Sequence, residues 1–140
     1  MRFDHEKLDV YRVSLDFVRV ATAITKVIPA DQRHMRDQLL RAASSIPLNI
    51  AEGNGKLSFG ERRRYFEIAR GSAMECAAAL DILVACGVLE PTAIIAEKDI
   101  LVRIVSMITK LADARSSRVR EDTADYDNDD DKDNDGRRAI

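Results

Sequence analysis

The sequence predicts an all-α protein, an antiparallel up-down-up-down four-helix bundle followed by a disordered acidic C-terminal tail. Three observations lead there. Ala, Leu, Ile, Val, Arg and the acidic residues are plentiful, Trp is absent, and Pro and Gly number only three and six, a usage that loses little on entering a helix. Apolar residues recur at three- and four-residue spacing through four successive segments. Short breaker sequences separate those segments, as an up-down bundle with tight connections requires. A chain of 140 residues suits one domain and is long enough to bury a core without disulfides or metal.

The first segment runs from Glu6 to Ile28. Leu8, Tyr11, Leu15 and Val18 form one apolar stripe, and Val10, Val13, Phe17, Val20, Ile24 and Val27 form a second; Pro29 ends the helix. The next segment starts at Asp31, read as an N-cap, and its stripe of Met35, Leu39, Ala42, Ala43, Ile46 and Ile50 continues to Gly53. Pro47 interrupts the hydrogen-bond ladder, but Ile46 and Ile50 stay in phase with Leu39, so a kinked helix is expected rather than a break. Gly53-Asn54-Gly55 reads as a stop and a turn. Ser58-Phe59-Gly60-Glu61 is a capping box that opens the third segment, where Phe66, Ala69, Ala73, Cys76, Leu80 and Leu83 recur until Gly87. The fourth opens at Glu90-Pro91, with Pro at the first helical position, and Ile94, Leu101, Ile104, Ile108 and Leu111 make its seam. Each segment is about 23–29 residues, so about 34–43 Å long. The bundle is assigned to residues 1–120 and the tail to 121–140. No repeat at a fixed period supports a helical array instead.

The tail carries a run of aspartates between Asp125 and Asp135 with one aromatic, Tyr126, and almost no apolar surface to offset the entropy of ordering. Asp127, Asp129 and Asp131 alternate as in a calcium loop, but the glycine spacing is wrong and the bidentate Glu is missing, so a solubilising tail is expected. Charge is unevenly divided. Residues 1–120 hold 19 Lys/Arg against 15 Asp/Glu, and residues 121–140 hold 3 against 9.

Cys76 and Cys86 lie in one helix, about 15 Å apart along its axis, too far for a disulfide. Both read as small buried residues of a reducing compartment. The opening Met1–Lys7 is charged with no apolar run after it, and no segment reaches the roughly 18 apolar residues a span needs. A cytoplasmic protein with no membrane contact is expected.

Catalytic patterns are missing. There is no G-x-S-x-G, H-E-x-x-H or P-loop; Gly53-Asn54-Gly55-Lys56 lacks the P-loop spacing and a preceding strand. A bundle di-metal site needs Glu-x-x-His pairs, and none occurs. Glu52, Glu67 and Glu75 are expected in surface pairs or caps, His34 is expected at the surface, and Ser44 and Ser45 read as small packing residues whose hydroxyls bond the local backbone. No enzyme, metal or cofactor is expected.

The basic residues are the notable polar feature. Arg33, Arg36 and Arg41 lie early in helix 2, whereas Lys56, Arg62, Arg63, Arg64 and Arg70 surround the second turn and the start of helix 3. In an antiparallel pair, Lys56 and Arg62–Arg64 cluster at one end and Arg33 and Arg36 lie nearer the other. Phosphate contact with RNA or DNA is one reading. A solvated face with internal pairs is the other, because Arg63, Glu67 and Arg70 share a stripe. Self-association is also expected. Helix 1 is apolar on two faces, and helix 3 carries a run of small residues, Gly71-Ser72-Ala73 and Ala77-Ala78-Ala79, that lets helix axes approach.

The stretch Gln38-Leu39-Leu40-Arg41-Ala42-Ala43-Ser44-Ser45-Ile46-Pro47-Leu48-Asn49-Ile50-Ala51-Glu52-Gly53 resembles the signature of the 23S rRNA intervening-sequence proteins, small bacterial four-helix bundles sometimes labelled S23. The likeness continues through Phe66-Glu67-Ile68-Ala69-Arg70-Gly71-Ser72-Ala73-Met74-Glu75 and in the opening Phe3-Asp4 with Leu8-Asp9-Val10-Tyr11, and it covers Phe3 to Ala114. The resemblance implies an up-down bundle assembled into a ring, commonly a pentamer, without enzymatic activity. It also implies, from a branch that serves retroelements, contact with a reverse transcriptase and RNA. That branch is strongly basic, this body is weakly so, and the Asp-rich tail is foreign to the family pattern. Within the motif Ser45, Pro47, Gly53, Gly71 and Ser72 read as structural, while Asn49 and Glu52 are expected to bind across the bundle end or a subunit contact. Together these readings give a non-catalytic oligomeric module for nucleic acid or nucleoprotein, or alternatively a protein–protein scaffold. The cations expected to bind are Arg33, Arg36, Arg41, Lys56, Arg62, Arg63 and Arg64.

Overall fold

The computed structural model describes residues 2–114, so the acidic tail falls outside the described residues. Within them the chain forms four α-helices and no strand: α1 (Asp9–Thr25), α2 (Arg33–Gly55), α3 (Phe59–Ala85) and α4 (Ile95–Asp113). Each helix packs on its chain neighbour, and α1 closes on α4, which gives the antiparallel up-down-up-down bundle. The α2–α3 pair shares the most extensive contact.

The two inner helices are longer than the outer two, at 23 and 27 residues against 17 and 19. The equal lengths expected from periodicity fail at the ends of the outer pair, where 3-10 turns take over. Asp4–Lys7 forms one such turn ahead of α1. Past Thr25 the amides of Val27 and Ile28 bond three residues back, at 3.0 and 3.3 Å, so the helix winds tight and stops four residues before Pro29. Pro91 does lead a helical turn, but that turn is Pro91–Ile94 of 3-10 form, and α4 begins after it.

Two other expected ends also move. Asp31 lies inside a short 3-10 turn, Ala30–Gln32, and Gln32 occupies the N-cap of α2 without a side-chain bond. Gly53 does not end α2. The helix runs unbroken through Pro47, which is buried, and continues to Gly55. The α3 boundaries follow the sequence closely. Ser58 Oγ accepts from the Glu61 amide at 3.2 Å. At the other end Gly87 takes φ +76°, and the amides of Val88 and Gly87 return to the carbonyls of Leu83 and Val84, a Schellman closure that a residue with a β-carbon would adopt only with strain.

The core holds the predicted stripes. Phe17, Leu39, Ile46, Ile50, Phe66, Leu80, Leu83, Ile104 and Ile108 are fully or almost fully buried. Of the two stripes on α1, Val10 and Phe17 are buried, while Tyr11, Val13, Val18, Val20 and Ile24 sit half-buried at the core margin and Val27 is exposed. Cys76 is buried, but Cys86 is exposed at the C-cap of α3, contrary to the expectation for both thiols. Position 86 falls where the helix leaves the core to make its closing turn.

Candidate interaction surface

The signature stretch builds the seam between α2 and α3. At Gly53 α3 comes close against α2: a methyl group there would lie 2.7 Å from Phe66 Cε1 and 3.1 Å from the Arg62 carbonyl oxygen. Its place in the signature reflects helix crossing rather than helix termination.

One and two turns earlier the seam becomes polar. The Ser45 and Ser72 hydroxyls hydrogen-bond across the helices at 2.8 Å. Asn49 Nδ2 donates to Ser45 Oγ at 2.9 Å and to the Ser45 carbonyl at 2.8 Å, and the Ser72 hydroxyl reaches the Ile68 carbonyl at 3.0 Å. Ser45 therefore bonds side chains of both helices, beyond the local-backbone role expected of it. Asn49 is occupied inside its own helix, and Glu52 faces Lys56 at 3.8 Å, so neither spans the bundle end. Farther along, Glu75 receives Arg41 at 3.5 Å and Gln38 Nε2 at 3.3 Å from α2. Among the described residues no buried side-chain nitrogen or oxygen lacks a partner. Burial, with the Glu75 carboxylate second, pushes the Cys76 thiol up to about 12, so it stays protonated in neutral solution.

The bundle has two chemically different ends. At the first, here the basal end, α2 finishes beside the start of α3 and the finish of α4. Asp4 accepts from Asn54 Nδ2 at 3.0 Å, and Arg63 Nη1 meets Asp113 at 3.1 Å. Four of the seven predicted cations gather there, as the spacing predicts. Their states differ. The Arg62 guanidinium donates to the carbonyls of Asn54 at 2.9 Å and Lys56 at 3.4 Å and rests 5.5 Å from the Phe66 ring centroid. It thereby satisfies carbonyls that α2 leaves open at its C-terminus. Burial lowers its pKa, and Asp4 opposes that shift. Arg63 pairs with Glu67 at 3.1 Å as well as Asp113. Lys56 lies 5.2 Å from the Tyr65 ring centroid. Arg64 is exposed and unpaired among the described residues. The other three cations stand apart: Arg41 at mid-height on Glu75, Arg36 at 4.0 Å from its neighbour Asp37, and exposed Arg33 near the distal end.

The second apolar face of α1 was expected to support self-association, but the exposed apolar side chains that stand beside the small residues are on α3. Ile68, Met74 and Ile82 are 42%, 56% and 43% exposed, and they share the outward face of α3 with exposed Gly71 and Ala78. Leu48, 66% exposed, is a further exposed apolar side chain, on α2. Its signal was present in the sequence, since position 48 is out of phase with the Leu39–Ile50 stripe. A shallow cleft of about 480 Å³ runs along the last turns of α2, lined by Leu48, Ala51, Glu52, Gly55 and Lys56. Among the described residues no group of three His, Cys, Asp or Glu is placed to hold a metal ion, and no helix is long and apolar enough to cross a membrane.

The family model described as 23S rRNA-intervening sequence protein matches residues 6–110. A crystal structure of a protein of unknown function from the S23 ribosomal protein family of Bacteroides thetaiotaomicron superposes with a TM-score of 0.69 at 21% identity, covering 75% of this chain and 99% of that one. No curated protein matches the sequence. With three quarters of its length inside the family match and the signature forming the α2–α3 seam, the chain belongs to the 23S rRNA-intervening sequence protein family.

Proposed function

We propose that this protein is a non-catalytic, self-assembling binding module, a homo-oligomer and, following its family resemblance, a pentamer, whose partner is a nucleic acid or nucleoprotein in the cytoplasm. The observation that carries the assembly is the outward face of α3. Ile68, Met74 and Ile82 stand in solvent around Gly71, where a methyl group would meet no heavy atom within 4 Å. A glycine in the middle of a long exposed helix weakens it by about 0.5–1 kcal/mol relative to alanine and answers no need inside this chain. A closely approaching helix from another copy supplies the need.

Assembly also bears on the partner. One body has a small cationic excess, and several of its cations are spent internally. A ring repeats the basal Lys56 and Arg64, and the more distant Arg33 and Arg36, once per copy, so weak phosphate contacts add through multivalency. No cofactor or metal is needed for this role, and the polar side chains of the signature are engaged with one another.

Light scattering with absorbance at 260 nm recorded on the same peak tests both parts. The expected result is a mass several times the 15.7 kDa of one chain; a single-chain mass would overturn the assembly. Gel shifts with RNA and DNA across salt test the partner, and binding that stays negligible at low salt removes it. The scaffold reading, with a protein partner alone, is favoured by the occupied states of Arg62 and Arg63, and it becomes the conclusion in that case.

A further inference from the structure

We infer that the acidic segment Glu121–Asp135 docks on the basal end of its own bundle, along the α3–α4 groove. The groove, of about 110 Å³, has Arg63, Glu67 and Arg70 on one wall and Thr109 and Asp113 on the other. Asp113 is also the last residue of α4, so the chain leaves the bundle from the lip of this groove. The lip already binds one aspartate, because Arg63 meets Asp113 at 3.1 Å. Arg70, seven residues along α3 and about 10 Å farther on, has no ion-pair partner among the described residues, and neither do two exposed cations that lie outside the groove, Arg64 next to Arg63 on α3 and Lys110 three residues before Asp113 on α4.

The segment from Glu121 to Asp135 holds nine acidic residues against one lysine. It begins seven residues after Ala114, a tether that spans at most about 25 Å and so keeps the local concentration of carboxylates high at this end. Among the described residues Glu61 is the one carboxylate of the first half of α3 without an ion pair. At the distal end the cations Lys26 and Arg33, without an ion pair among the described residues, stand with Asp31, Glu90, Glu97 and Asp99, equally without one there, which repel an acidic run. Tether length and unpaired charge therefore select the same end. The groove itself is nearly neutral, since Arg63 is shared by Glu67 and Asp113, so the contact rests on Arg70 within it and on Arg64 and Lys110 on the outer surfaces of α3 and α4, and is sensitive to salt. It stands without any nucleic acid.

The test uses the full chain with a nitroxide attached at Ala124→Cys in a Cys86→Ser background, because buried, protonated Cys76 does not compete for the label. Amide signals of Arg64 to Arg70 and of Thr109 and Lys110 are expected to lose roughly half their intensity at low salt and to recover at high salt, where screening shortens the reach of these charges. Changing Asp127, Asp129, Asp130, Asp131 and Asp133 to Asn is expected to abolish the broadening. Arg70→Gln combined with Lys110→Gln is expected to reduce it. Broadening that is absent at low salt, or centred on Lys26 and Arg33, overturns the proposal. So does broadening found only when spin-labelled chains are mixed with separate isotope-labelled chains, since it then belongs to a neighbouring copy.

Discussion

Gly53 and Gly71 occupy paired helices of the same seam, yet they stand in opposite relations to the rest of the chain. At Gly53 an added methyl group would press against the buried Phe66 ring, at 2.7 and 2.8 Å, with the Arg62 carbonyl oxygen behind it. At Gly71 the same methyl group would meet nothing within 4 Å. Both glycines cost helix stability in the same way. For Gly53 that cost is offset within the fold by a close α2–α3 approach. For Gly71 the bundle contains no offsetting contact, and the residue sits among exposed Ile68 and Met74. Family-specific residues thus divide into those that explain the fold and those whose reason lies outside a single chain. Position in a sequence motif does not distinguish them; the surrounding atoms do.

The strongest way to break this contrast is through Phe66, the partner of the inner glycine. Phe66→Ala is expected to lower unfolding free energy by about 3–5 kcal/mol, read from denaturant midpoints, as expected for a buried aromatic whose site collapses poorly. Gly53→Ala follows, with a loss of about 1–3 kcal/mol from overpacking against a ring that is itself enclosed. The pair forms a double-mutant cycle. Once Phe66 is truncated, the Gly53→Ala penalty should largely vanish, leaving the backbone contact with the Arg62 carbonyl as its residue. A penalty that survives unchanged would show that the Arg62 carbonyl oxygen, 3.1 Å from the added methyl group, and not the Phe66 ring, excludes a side chain at Gly53.

The sequence made the helices legible because burial here follows one simple period. Leu39, Ala42, Ala43, Ile46 and Ile50 face the core as their spacing requires, and the Ser58 cap and Gly87 closure obey local rules that need no tertiary information. Failures occurred where a tertiary contact replaced a local rule. Gly53 looked like a stop because glycine ends helices, and only the approach of Phe66 reveals its role. Asp31 looked like an N-cap, but the chain reaching Arg33 from Pro29 takes a 3-10 turn that carries it past that position. For the surface, the clustering of Lys56 and Arg62–Arg64 followed from antiparallel geometry alone. What spacing could not convey is that Arg62 is engaged by carbonyls of α2 and that Arg41 has its counter-ion, Glu75, on another helix. Pairing across helices depends on register, which a one-dimensional pattern does not contain.

The polar half of the seam sharpens the comparison from the other side. Ser45→Ala removes a hydroxyl that Asn49 and Ser72 both use. Each partner keeps a carbonyl, of Ser45 itself and of Ile68, so no buried donor is orphaned. The expected loss is therefore modest, about 1 kcal/mol by chemical denaturation. A loss as large as that of Gly53→Ala would mean that the hydroxyl network, and not the close crossing, fixes the register of α2 against α3.

The smallest effect on the fold carries the most information about function. Gly71→Ala fills no occupied space and replaces the poorer helix former, so the single chain should gain about 0.5–1 kcal/mol. If the outward face of α3 contacts another copy, the same methyl group must cost assembly what it gives to folding. Sedimentation of the variant should then show dissociation at concentrations where the unchanged chain remains associated, while its helical signal is preserved. Gly71→Leu should enlarge that separation between intact helix and lost assembly. Ala78, about two turns farther along the same face, gives an independent check, since Ala78→Leu should act in the same direction. Should the Gly71 variants fold more stably and assemble as before, then the exposed glycine is neutral drift on a free surface and the interface lies on another face of the bundle.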